Sequence, residues 1–68
     1  MRSVGYESKS KILEIEFQSG EVYQYLDVPE RMHNGLLGAK SKGQYFNDEI
    51  REEYTFVRVG RARRATSR

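Results

Sequence analysis

The sequence predicts an α+β fold, a small antiparallel β-meander of three to four strands packed against a two-helix element in the order β-β-β-α-α-β. Three stretches carry that expectation. Residues 12–17, "ILEIEF", alternate apolar and acidic side chains; apolar residues then recur at helical spacing between positions 29 and 54; "TFVRV" at 55–59 returns to strand-forming residues. A chain of 68 residues holds one domain and one modest core.

Leu13, Ile15 and Phe17 fall on one side of the first clear strand, Glu14 and Glu16 on the other. "QSGE" separates it from a second β-rich run, "VYQYLDV", and Gly20 supplies the conformational freedom of a tight reversal. A two-residue loop at Ser19-Gly20 sets Phe17 opposite Val22, Ile15 opposite Gln24 and Leu13 opposite Leu26. Tyr23 and Tyr25 then share the wetter face with Glu14 and Glu16, with Ile12 and Asp27 at its end. A glycine bulge after the turn shifts the pairing by one residue and exchanges the two sets on one strand. Upstream, Val4 and Tyr6 mark a further short strand, joined through the polar turn "SKSK".

Pro29 suits the first turn of a helix, and Asp27 with Glu30 resembles a capping box, so a helix is expected from about Pro29 to Ala39. Gly35 and Gly38 each weaken it by about 1 kcal/mol relative to alanine, the cost of close packing or early fraying. Ser41 with Gln44 resembles a second box. Asn47 is placed to cap "DEIREEY", whose inward side would be Tyr45, Phe46, Ile50 and Tyr54. The expected core is Val4, Leu13, Ile15, Phe17, Val22, Leu26, Met32, Leu36, Leu37, Phe46, Ile50, Tyr54 and Val57.

The net charge of +2 is unevenly placed. Arg61, Arg63, Arg64 and Arg68 follow Gly60 without an acid, leaving residues 1–59 at −2, so a folded domain over 1–59 and a disordered basic tail over 60–68 are expected. The absence of cysteine removes disulfides and thiolate metal sites and points to a reducing cytoplasm. No apolar run approaches the ~20 residues of a membrane span. A core this small predicts a monomer or a weak homodimer.

"GYE", "LEIEFQSGEVYQYLDVP" and "LLGAKSKGQYFNDEIREEY" together resemble the KTSC domain, a small module found at the C-terminus of some lysyl-tRNA synthetases and alone in small bacterial and phage proteins. The resemblance runs from about Gly5 to Phe56. It implies a fold and almost no chemistry, and its link to RNA is by association. The chain departs from the family in having only four residues before "GY", so a shorter first strand is expected, and in placing His33 where a hydrophobic or aromatic residue is usual.

No constellation for catalysis is evident. Glu14 and Glu16 read as solvating residues of a wet strand face, His33 has neither cysteine nor second histidine to complete a metal set, and no serine stands in a recognisable triad. No cofactor is expected. Ser41, Lys42 and Gly43 have parts of an anion site, with Arg51 as a helper, but lack the spacing of a P-loop and read first as a structural cap and turn. Tyr23 and Tyr25 either pack beneath the first strand or the helices with their hydroxyls at the rim, or offer paired rings for a peptide or a base, of which the neighbouring acids favour a peptide. The expected function is therefore a non-enzymatic accessory module binding a protein or peptide through Tyr23, Tyr25, Ser41, Lys42, Gly43 and Arg51. The alternative is RNA or DNA binding through Lys40, Lys42, Arg61, Arg63 and Arg64. "RRAT" also resembles a basic-directed phosphorylation site, a match that arises readily by chance.

Overall fold

In the computed structural model, which describes residues 1–61, the order is β1 (Ser3–Glu7), β2 (Ile12–Glu16), β3 (Glu21–Tyr25), α1 (Glu30–Gly38), α2 (Lys42–Tyr45) and β4 (Phe56–Arg61). The four strands form one antiparallel sheet in sequence order. This is the expected α+β arrangement. β1 has five residues, the same length as β2 and β3.

The reversal between β2 and β3 decides what each face presents. Gly20 N–H donates to Phe17 O at 2.9 Å and Phe17 N–H to Glu21 O at 2.9 Å, so three residues form the loop and Gly20, at φ 94°, is the left-handed residue that closes it. Leu13 lies opposite Tyr25, Ile15 opposite Tyr23 and Glu16 opposite Val22. The expected register is thus one residue out, by the bulge already named. Tyr23 and Tyr25 join Leu13, Ile15 and Phe17 on the face beneath the helices, while Val22 and Leu26 move to the open face with Glu14 and Glu16. Val22 is nonetheless buried, and Leu26 half-buried. On that face Gln24 Nε2 donates to Glu14 Oε1 at 2.9 Å, and Glu16 pairs with Arg2 and accepts from Ser3 Oγ.

Leu13, Ile15, Tyr25, Val28, Leu36, Phe46 and Ile50 form the buried cluster, with Met32, Tyr45 and Tyr54 packed against it. Leu37 and Val57, expected inside, are exposed: Leu37 lies off the buried stripe of α1, and Val57 lies on the uncovered face of an edge strand. Gly35 is where α1 and α2 meet, because a methyl group there would overlap the Tyr45 hydroxyl, which itself donates to Met32 Sδ at 3.6 Å. Gly38, with open space around it, ends the helix. At the β1 end the Tyr6 ring stacks on His33 with centroids 4.9 Å apart, and its hydroxyl donates to Val28 O at 2.6 Å. His33 therefore serves as an aromatic stacking partner for Tyr6.

Two expected caps do not form. Pro29, not Asp27, occupies the N-cap of α1, and Asp27 instead takes a left-handed turn at φ 55°. Asn47 caps nothing, because α2 runs on without a break into a π-helical turn, Phe46–Ile50, closed by the Arg51 N–H to Phe46 O bond of 2.8 Å. Ser41 does cap α2: its Oγ accepts from Gln44 N–H at 3.2 Å. The Gln44 side chain turns to Asp48, so the box is half made. β4 carries on through Gly60 and Arg61, past the expected domain boundary at 59; the remaining stretch expected to be disordered, 62–68, lies outside the described residues.

Candidate functional site

The register that turns the tyrosines beneath the helices also builds a cleft. β3 presents Glu21, Tyr23 and Tyr25 on the covered face, and β4 places Phe56 opposite Tyr25 and Arg58 opposite Tyr23. The π-helical turn faces them, sending Phe46 and Ile50 into the core and leaving Asn47 and Arg51 on the side toward β3. Between these walls lies an open groove of about 680 Å³.

Its lining is aromatic. Tyr23 stacks on Phe56 with centroids 5.1 Å apart, Tyr25 lies 5.4 Å from Phe56 and 5.3 Å from Phe46, and Phe17 meets Tyr23 and Phe46 edge-on at 5.3 and 5.7 Å. Edge-to-face and offset contacts of this kind add about 0.5–1.5 kcal/mol per pair to simple burial, so the rings hold one another in place. Tyr25 is sealed by them at 3% exposure, whereas Phe56 stays half open to solvent.

Charge is placed at the rim. Arg51 is exposed, donates from Nη1 to Asn47 Oδ1 at 3.3 Å, and is flanked in the groove by Glu52; across from it Glu21 pairs with Arg58 at 3.4 Å. Burial raises the Tyr25 phenol above its ordinary value near 10, the neighbouring Tyr23 raises it further, and Arg51 pulls the other way. A cleft with rigid rings and one guanidinium free of an acidic partner at bonding distance can take a large apolar side chain beside a carboxylate.

Of the residues singled out from the sequence, Tyr23, Tyr25, Gly43 and Arg51 converge on this groove. Ser41 does not: its hydroxyl is engaged in the cap, and with Lys40 it borders a separate shallow depression beside Tyr45 and Asp48. Lys42 is exposed and borders neither. The face expected for the tyrosines was the wrong one, yet both line a solvent-open cleft. Of the alternative set, Arg61 pairs through its backbone with Glu21, and Arg63 and Arg64 lie outside the described residues. Sequence reasoning missed Phe56, Asn47, Glu21 and Glu52 as lining residues. The signal for Phe56 was its place in "TFVRV", legible only with the β3 pairing in hand. Among the described residues no group of three or more His, Asp or Glu is placed to hold a metal ion, and no helix is long and apolar enough to cross a membrane.

The chain belongs to the KTSC domain family, whose model matches residues 1–54. A KTSC domain protein of Yersinia pestis has a crystal structure that superposes with a TM-score of 0.83 at 40% identity, covering 85% of this chain and 82% of that one. An uncharacterised protein of Stutzerimonas stutzeri is 40% identical over 60 residues, 87% of this chain and 84% of its own length. A lysine–tRNA ligase of Nostoc punctiforme is 43% identical over 59 residues, and the matched stretch spans only 10% of that ligase.

Proposed function

We propose that this KTSC domain is a non-enzymatic accessory module of the cytoplasm that binds a protein partner by taking a peptide segment into the aromatic groove. The observation that carries this reading is the open cleft walled by Tyr23, Phe46 and Phe56 with the Arg51 guanidinium at its rim. Such a site recognises a large apolar side chain next to an acidic group: the rings supply apolar contact area with little conformational freedom to lose, and the arginine pairs with the carboxylate. The occurrence of a similar stretch within lysine–tRNA ligases, at a tenth of their length, supports an accessory role. RNA or DNA binding through Lys40, Lys42 and the C-terminal arginines rests on charge alone, and Glu21 and Glu52 in the groove oppose it.

Selection of a displayed random peptide library on the immobilised full-length chain tests the reading. The expected winners pair an aromatic or large aliphatic residue with an acid and lose binding at least about tenfold to Arg51→Glu, an ordinary cost for reversing one partner of a charged contact. Absence of enrichment, together with RNA binding that weakens steeply with salt, would favour the nucleic-acid alternative instead.

A further inference from the structure

The two edges of the sheet differ. β1 sets Ser3, Gly5 and Glu7 outward and is tied at its start by the bonds of Arg2 and Ser3 to Glu16, a polar edge of the kind that discourages further pairing. β4 is the longest strand, and it carries three of the four large apolar residues most open to solvent: Phe56 at 47%, Val57 at 44% and Val59 at 50% exposure. It also lies beyond the 54 residues matched by the family model.

We infer that β4 is a homodimer interface, pairing antiparallel with the same strand of a second copy about a two-fold axis through Val57. The backbone fixes which groups are available. Leu26 N–H donates to Thr55 O at 2.8 Å, so by the alternation of antiparallel ladders Thr55 and Val57 turn their peptide groups toward β3, and Phe56 and Arg58 turn theirs toward the free edge. Beyond them the extra residue Val59 bulges and Gly60 takes φ 109°, which ends the flat stretch.

Charge selects the register. An axis through Arg58 sets two guanidiniums opposite each other and runs into the bulge, and an axis through Phe56 engages residues that precede the strand. An axis through Val57 uses the whole flat stretch: each Phe56 exchanges hydrogen bonds with the partner's Arg58, a ring beside a cation, while the two Val57 side chains meet on the open face as a close, non-hydrogen-bonded pair. Arg58 keeps its bond to Glu21. The axis stands perpendicular to the sheet, so both helical layers lie on one side and the two grooves become neighbours. Four backbone hydrogen bonds and two valines make a weak, concentration-dependent dimer that shares Phe56 with the groove.

Sedimentation equilibrium of the full chain, at concentrations up to about 1 mM, tests the inference, together with single-cysteine variants in a protein that has no cysteine of its own. A monomer–dimer equilibrium is expected. Val57→Cys should cross-link under mild oxidation and Val59→Cys, equally exposed, should not, because only the pair on the axis has disulfide geometry. Arg58→Pro removes an outward N–H without touching the bonds to β3 and should abolish association with the circular dichroism unchanged; Val57→Lys, with like charges across the axis, should weaken it about tenfold. A chain that stays monomeric throughout overturns the inference. So does a dimer that neither Arg58→Pro nor Val57→Lys weakens, or one that cross-links through position 59 or not through 57.

Discussion

Beneath one sheet the molecule has two unlike ends. Toward β1 the space is filled by aliphatic side chains, with Leu13, Ile15, Val28, Leu36 and Ile50 fully out of contact with water, and it is closed by Tyr6 lying on His33 and bonded to Val28. Toward β4 the filling is aromatic, and the layer stops short, leaving Phe56 and Tyr23 at the wall of a groove. Branched aliphatics interlock without directional demands and can be sealed completely. Rings with hydroxyls and flat faces pack against each other and still offer surface. The sealed end holds the chain together, and the open end leaves an aromatic groove facing solvent.

That contrast breaks most visibly under truncation of the sealed end. Ile50→Ala or Leu36→Ala should lower stability by about 3 kcal/mol, a large share of what so small a domain has, read as the midpoint shift in a denaturant titration. Gly35→Ala, which forces the Tyr45 hydroxyl away, should cost about 2 kcal/mol by the same measurement, as overpacking does. Tyr6→Phe removes the bond to Val28 O and leaves the stack on His33, for a loss of about 1 kcal/mol.

At the open end the effects on folding are smaller. Phe56→Ala, at an already half-exposed position, should change stability by less than about 1 kcal/mol while altering what the groove binds. The smallest effect is with pH. Because the Tyr25 pKa is raised in the folded state, chiefly by burial, its contribution is whole below pH ~10 and declines as pH rises through the folded-state value. Tyr25→Phe should flatten that alkaline decline in a series of thermal melts.

Much of the sealed end was legible in the residues. The alternation in "ILEIEF" fixed Leu13 and Ile15 inside, and helical spacing found Leu36 and Ile50. The open end was not, because its content depends on a single turn. Whether Gly20 ends a two-residue loop or closes a three-residue one is a difference of one left-handed residue, and it moves Tyr23 and Tyr25 from one face to the other. The pairing of β4 with β3 joins residues more than thirty positions apart, which local patterns do not encode, so Phe56 was invisible as a partner of Tyr25. The π-helical turn was hidden likewise, since Asn47 has the chemistry of a cap and its neighbours are as compatible with a break as with a wider turn.

The division of labour between the two ends is tested most directly by nuclear magnetic resonance mapping of a library-selected peptide on the isotope-labelled chain. Perturbed resonances should cluster at Tyr23, Gly43, Asn47, Arg51 and Phe56, with Glu14 and Gln24 on the open face and Tyr6 and His33 at the sealed end unmoved. A peptide that instead shifts Glu14 and Gln24, or leaves Tyr23 and Arg51 still, would contradict the account.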